Sequence, residues 1–207
     1  MVQEEIQDQL LLIDPPPDVV TRFKVEGNVA VLYTGPSPEA QLSLPLLQKM
    51  TGGVAHIRIG EHFLDIYSQQ HGTVVHIPAL GIICGGLFGS DLIVPSLGPG
   101  SDGGAELDTL RLLASLIKKH PLQLYIPQIG HTESDPIKVM GRLASDVAYL
   151  HSIRRLIPSL VQRGDTVDEM LQMADALLPS DRQHENGGEL SRLSHENNLQ
   201  ILYELYT

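Results

Sequence analysis

The apolar positions of this chain change their period near its midpoint, from short β-type runs to helical spacing. Residues 6–14 (IQDQLLLID) end in an apolar run closed by Asp14 and then Pro15, Pro16 and Pro17. No helix interior or central strand accepts three prolines, so the segment reads as a strand followed by a rigid turn, with Asp14 as a turn or cap carboxylate. Residues 18–28 read as a linking segment with room for one short helix. Val29 to Leu32 is a β-branched run that predicts a buried strand, and Gly35, Pro36, Ser37 and Pro38 form a turn cluster after it. From Glu39 onward Leu42, Leu46 and Leu47 fall near helical spacing until Gly52-Gly53. VAHIRI (54–59) alternates as a strand, Phe63 to Tyr67 is another short one, and TVVHIP and LGIICGG flank a Pro-Ala turn as a hairpin.

The second half reads mainly as helices. Positions 93–104 (IVPSLGPGSDGG) predict an exposed loop. Glu106 to His120 carries Leu107, Leu110, Leu113 and Ile117 on one face, with Ser101 or Asp102 near its start and Pro121 as its stop. Leu122 to Ile126 predicts a strand that runs into Pro127-Gln128-Ile129-Gly130-His131. Met140, Leu143, Val147, Leu150, Arg154 and Ile157 mark a long helix over 137–163 with a bend expected near Pro158. Thr166 is placed to cap a third helix, residues 179–188 form a polar loop, and Glu189 to Tyr206 is the last helix.

Composition narrows the class. A chain of 207 residues suits one domain with a real core, here 1–136 as sheet region and 137–207 as C-terminal helices. Aromatic residues make up 4% with no Trp, so the core must be built from Leu, Ile and Val. A formal charge of -11 repels phosphate backbones and anionic membrane surfaces, which argues against both as partners. A single cysteine, Cys84, excludes an intrachain disulfide and fits a reducing compartment. No apolar run reaches the ~20 residues of a spanning helix, and the acidic N-terminus is unlike a signal peptide, so the expected location is the cytoplasm.

Isolated residues give weak chemical signals. Cys84 on an apolar strand reads as a small core residue, since nothing adjacent in sequence lowers its pKa. His71 and His76, on or beside strands, read first as ordinary polar or partly buried residues. Gly98, Gly100, Gly103 and Gly104 match neither a Walker nor a dinucleotide spacing.

The order of motifs says more. VLYTGPSPEA (31–40) has the strand, loop and helix arrangement in which metallo-β-lactamase-fold hydrolases carry Thr-His-x-His-x-Asp-His, and LLLIDPPP resembles the strand that precedes it. QQHGTVVHIPALGIICGG resembles the family's His, Gly-Ser, strand, turn, strand, Gly-Asp segment, and YIPQIGH its Pro-Gly-His loop. SHENNLQILYEL resembles the closing helix of many members. The chain thus resembles the metallo-β-lactamase-fold superfamily, in a hydroxyacylglutathione-hydrolase-like form. This implies an α/β fold, a four-layer αββα sandwich with a shortened N-terminus and a sheet edge that a second subunit would cover in a homo-oligomer.

The resemblance keeps the shape and loses the ligands. Its metal-ligand positions fall on Gly35, Ser37, Glu39, Ala40, Gln69, Gly86 and Ile129, of which Glu39 is a good donor. One carboxylate cannot retain zinc, which needs three or four converging donors. The expectation is therefore a pseudoenzyme: non-catalytic, without cofactor, its former active-site cleft serving binding or assembly with an unidentified protein or small molecule. The alternative is a hydrolase of an ester, thioester or phosphodiester that holds zinc, iron or manganese with Glu39, His71 and His131, helped by Asp91 or Asp102. His195 and Asn198 are expected at the surface or in packing rather than in chemistry.

Overall fold

The structure is a computed structural model that describes residues 2–6, 10–14, 22–26, 29–33, 54–59, 62–69, 72–182 and 186–207. The described residues form two sheets. The first has four strands, β1 (Val2–Ile6), β2 (Leu10–Asp14), β3 (Arg22–Glu26) and β4 (Val29–Tyr33). β1 and β2 pair antiparallel along their whole length, as do β3 and β4. The strand expected to end at Asp14 is present as β2, paired with β1, and one sequence expectation is corrected: residues 22–26, expected in a link or short helix, form a strand. RFKVE has the alternation of a half-buried strand, with charged residues at every second position.

The second sheet has the order β5 (Val54–Ile59), β6 (His62–Gln69), β7 (Gly72–Ile77), β8 (Ile82–Gly86), β9 (Leu124–Pro127). β5 to β8 form an antiparallel meander, and β8 and β9 are parallel. A parallel neighbour needs a crossover, and helix α1 (Gly104–Lys119) supplies it. The hairpin expected around the Pro-Ala turn is present: a 3-10 turn at Pro78–Leu80 joins β7 to β8 through Gly81 at φ 63°. A Cβ on Gly81 would lie 2.7 Å from the Pro121 carbonyl, so the chain leaving α1 packs directly on this turn.

Both faces of the central strands are buried. Val74, Ile83 and Tyr125 face the helices, while Leu64, Ile66, Ile77, Ile82, Cys84 and Ile126 are buried on the other side. Such burial explains why LGIICGG is a continuous apolar run. Helix α1 contributes Leu107, Leu110, Leu113, Leu116 and Ile117 to the core. Helix α2 (Pro136–Arg163) continues through Pro158 and packs on α1, on α3 (Val167–Ala174) and on α4 (Asn186–Tyr206). Thr166 caps α3 as expected, in a full capping box with Glu169.

The Gly/Pro/Ser stretch 93–104 is not an exposed loop. Ile93, Val94, Leu97 and Ser101 are buried, because the segment is strapped at both ends. Asn198 accepts the Leu97 N–H at 2.7 Å and donates to the Pro95 carbonyl at 2.8 Å and to the Tyr149 hydroxyl at 3.0 Å. The Tyr149 hydroxyl lies 2.9 Å from Nδ1 of buried His195, so His195 and Asn198 are packing residues. At the far end the buried Glu106 carboxylate accepts the Gly98 N–H at 3.0 Å and the Ser101 hydroxyl at 2.6 Å. α1 then begins after Gly103, whose φ of 89° suits glycine, with the Ser101 hydroxyl accepting the Gly103 N–H at 3.0 Å and Asp102 accepting the Gly104 N–H at 2.8 Å.

One ion pair ties the C-terminal half together. Arg182, in the segment expected to be a polar surface loop, is 1% exposed and pairs with fully buried Asp146 of α2. The guanidinium also donates to the carbonyls of Ile93 at 2.8 Å and Arg142 at 3.1 Å, and Asp146 accepts the Gly89 N–H at 2.7 Å. Removing one member of such a pair leaves an uncompensated buried charge and typically costs about 3–5 kcal/mol. Arg182→Met is therefore expected to lower unfolding stability by roughly that amount, and Arg182→Met with Asp146→Leu to recover much of it. Urea unfolding of the three proteins checks this, and equal stability of Arg182→Met and the parent would contradict it.

Candidate functional site

One end of the five-stranded sheet gathers the residues of interest. The register places Gln69 opposite Gly72, Thr73 at the level of Gly86, and Gly86 beside Pro127. Gln69 and Gly86 therefore lie at the same sheet end, and Ile129 follows two residues after β9. Gly35, Ser37, Glu39, Ala40 and His71 lie outside the described residues.

Main chain and aromatic packing occupy the exit from β8. Gly86 has φ 61°, and its carbonyl accepts the Gln128 N–H at 2.6 Å. The Tyr125 side chain crosses the gap between Gly85 and Gly89 and donates its hydroxyl to the Phe88 carbonyl at 2.8 Å. A Cβ on Gly85 would fall 1.7 Å from the Tyr125 oxygen. Gly85 thus has a packing reason: any side chain there collides with Tyr125. Burial pushes the Tyr125 phenol well above its ordinary pKa, and likewise the Cys84 thiol, which fits Cys84 as a core residue.

Beyond Gly89 the chain presents Asp91, and beyond β9 it presents His131. The His131 N–H donates to Asp91 Oδ1 at 2.8 Å, and Nδ1 lies 2.9 Å from Oδ2. Arg142 of α2 stands 3.6 Å from the same carboxylate and donates to the His131 carbonyl at 3.0 Å. It is also 3.6 Å from Glu133, which Lys138 approaches at 3.8 Å. Partial burial of Asp91 raises its pKa, but the His131 N–H and the Arg142 guanidinium outweigh it and hold the carboxyl below its usual range. Glu133 pairs back onto Tyr125 through two main-chain hydrogen bonds of 2.7 and 3.0 Å, which folds 128–133 against β9.

Asp91 and His131, offered in sequence as parts of a rearranged site, are therefore in contact. Asp102 is not with them: it receives the Gly104 N–H at 2.8 Å and pairs with Arg154 at 2.7 Å at the start of α1. Sequence reasoning missed Arg142 and Glu133, because no spacing rule relates α2 to the two loops. Among the described residues no three His, Cys, Asp or Glu side chains gather closely enough to hold a metal ion. An imidazole whose Nδ1 faces a carboxylate does present Nε2 to a ligand or a proton, as metal-binding and general-base histidines do. His131 is 51% exposed, so that nitrogen is within reach of solvent.

Gly130 sets this contact. Its φ is 115°, and a Cβ there would lie 2.5 Å from Asp91 Oδ1 and 2.9 Å from the Ser90 hydroxyl. Gly130→Ala is expected to separate Asp91 from His131 and to cost on the order of 1–3 kcal/mol through backbone strain. The melting temperature checks it, and a melting temperature equal to the parent's in Gly130→Ala would contradict the placement.

No family model matches the chain, and no curated protein matches it. Among solved structures it is similar to the stereoselective inverting sec-alkylsulfatase Pisa1 from Pseudomonas sp., with a TM-score of 0.49 and 14% identity, and to a double mutant of that enzyme, with 0.47 and 16%. In both cases 74% of this chain aligns with 25% of the other, so the chain spans about a quarter of those proteins. At these scores the likeness says nothing about the residues or activity of this chain. No helix among the described residues is long and apolar enough to cross a membrane.

Proposed function

We propose that the chain is a non-catalytic protein of metallo-β-lactamase-like architecture whose sheet end serves binding or assembly. The observation that carries this reading is the mutual satisfaction of the charged groups there. Asp91 is held by His131 and Arg142, and Arg142 is shared with Glu133. A metal centre needs three or four donors turned to one point, with an open position for water. Here the imidazole and carboxylates turn to each other and to a guanidinium, while Gly86 and Ile129 bring no donor. A surface of this kind, rich in fixed donors and acceptors, suits recognition of a polar partner, either a protein segment or a small molecule.

A second reading has one observation in its favour. The Asp91–His131 pair is the arrangement that orients a metal-binding or general-base imidazole. On this reading His131 acts with Glu39 and His71 on zinc, iron or manganese, and the chain hydrolyses an ester, thioester or phosphodiester.

Elemental analysis of protein purified without chelator or affinity-tag histidines separates the two, paired with the melting temperature before and after EDTA. The first reading expects less than about a tenth of an equivalent of metal and an unchanged melt. Near-stoichiometric zinc, iron or manganese, lost together with stability on chelation and absent from His131→Gln, would overturn it in favour of the hydrolase.

A further inference from the structure

A second group of titratable side chains lies away from the sheet end, where strand register and the end of α1 bring four of them together. His56 of β5 is directly opposite Asp65 of β6, and Asp65 is directly opposite His76 of β7. Residues directly opposite across neighbouring strands share a face, so the three form one row, buried at His76 and open to solvent at His56. His56 Nδ1 lies 2.7 Å from Asp65 Oδ1, and His76 Nδ1 lies 3.6 Å from Oδ2, beyond hydrogen-bond reach. His120, the residue that ends α1, stacks on His76 with ring centroids 4.6 Å apart and planes tilted by 51°.

His76 is the unusual member. It is 1% exposed, and neither ring nitrogen has a hydrogen-bond partner. A buried imidazole without partners is tolerated as a neutral ring and resists a proton. Burial accordingly holds the His76 pKa below the ordinary histidine value, with His120 adding to the effect and Asp65 opposing it. The other element facing His76 is β8, whose opposed residue is the apolar Ile83. Arg58 and Tyr67 occupy the adjacent register positions of the face, opposite Phe63 and Val74, and Lys118 and Lys119 in the last turn of α1 are exposed.

The charge count decides what acid does here. With all three imidazoles neutral, the row carries the single negative charge of Asp65. With all three protonated, three positive charges face that one carboxylate, which His56 already engages. Two of those cations would be the stacked His76 and His120 rings, in a site closed to water on the His76 side. Like charges so placed repel strongly and are poorly screened.

We propose that His56, Asp65, His76 and His120 form an acid-sensitive latch, which holds the end of α1 on the sheet when the rings are neutral and releases it when they take up protons. The released element is defined by its contacts. Past His120 the chain is fastened to the β7–β8 turn through the Gln123 and Leu124 N–H groups, which donate to the Gly81 carbonyl at 2.8 and 3.2 Å. The stacked imidazoles are the contact beside that fastening. The sign follows from linkage: the histidines of an opened segment titrate near pH 6.5, while His76 in the closed latch titrates lower. The open form therefore binds more protons as the pH falls below about 6.5, and closure weakens there; above that pH it has its full strength.

Amide hydrogen exchange of the full chain, followed by mass spectrometry at about pH 7.5 and about pH 5 with EDTA present and corrected for the intrinsic pH dependence, tests the proposal. Peptides covering 72–77 and 115–124 are expected to lose protection by roughly tenfold or more at the lower pH, while those covering 143–160 of α2 change by less than about twofold. His120→Gln removes one of the two stacked charges and is expected to restore most of the lost protection without requiring a change at buried His76. Acid exchange that rises uniformly along the chain, or that is the same in His120→Gln as in the parent, would overturn the latch.

Discussion

The buried pair of Asp146 and Arg182 is the constraint on which the helical half depends. Helices α2 and α4, the segment that joins them and the exit from β8 have no covalent tie beyond the chain, and the sheet and helices meet mainly through Leu, Ile and Val. Apolar packing of this kind is non-directional and does not fix where one element stops against another. A guanidinium with planar donors does. It fixes the 180–182 turn to α2 through Asp146 and Arg142 and to the loop after β8 through Ile93, while Asp146 holds Gly89. Its value lies in geometry more than in net stability, since a buried pair barely recovers its own desolvation.

The candidate site inherits its shape from that frame. Gly89 and Ile93, on either side of Asp91, are both fixed by the pair, so Asp91 projects from a segment held at both ends. Arg142, whose carbonyl receives Arg182, directs its guanidinium to the Asp91–His131 contact. The sheet end is thus preorganised, but around charges that satisfy one another. Tyr125 fills the space beside Gly85 and leaves no room there for a side chain. The physical content of the non-catalytic reading is this: the frame is rigid enough for chemistry, and its donors are turned inward to each other.

Local pattern made much of this legible in the sequence, and long-range pairing hid the rest. The helical stripe of Leu107, Leu110, Leu113 and Ile117, the Thr166 cap and the β7–β8 hairpin follow from period and turn chemistry, and the structure has each of them. Strand β3 escaped because RFKVE carries three charges in five residues, which reads as linker unless the alternation is weighed first. The segment 93–104 looked exposed because Gly, Pro and Ser outnumber its apolar residues, yet Ile93, Val94 and Leu97 are the residues that set its fate. Arg182 was hidden for a similar reason, since a lone arginine between polar neighbours gives no sign of a carboxylate 36 positions away. At the site, His131 and Asp91 could be named as candidates from residue type alone. Their contact spans 40 positions and depends on the conformation of Gly130, which no spacing rule reports. The latch residues depend on strand register, which becomes visible only once β5 to β7 are paired.

The central claim is that the donors at the sheet end are committed to each other and not to a metal. Calorimetric titration of zinc into EDTA-stripped, buffer-exchanged full chain, run in parallel on His131→Gln, measures this most directly. The account predicts weak heats that do not saturate near one equivalent and are alike in the two proteins. A saturable site of about one zinc per chain with a Kd of about 1 μM or tighter, lost in His131→Gln, would contradict it and make the sheet end a metal centre.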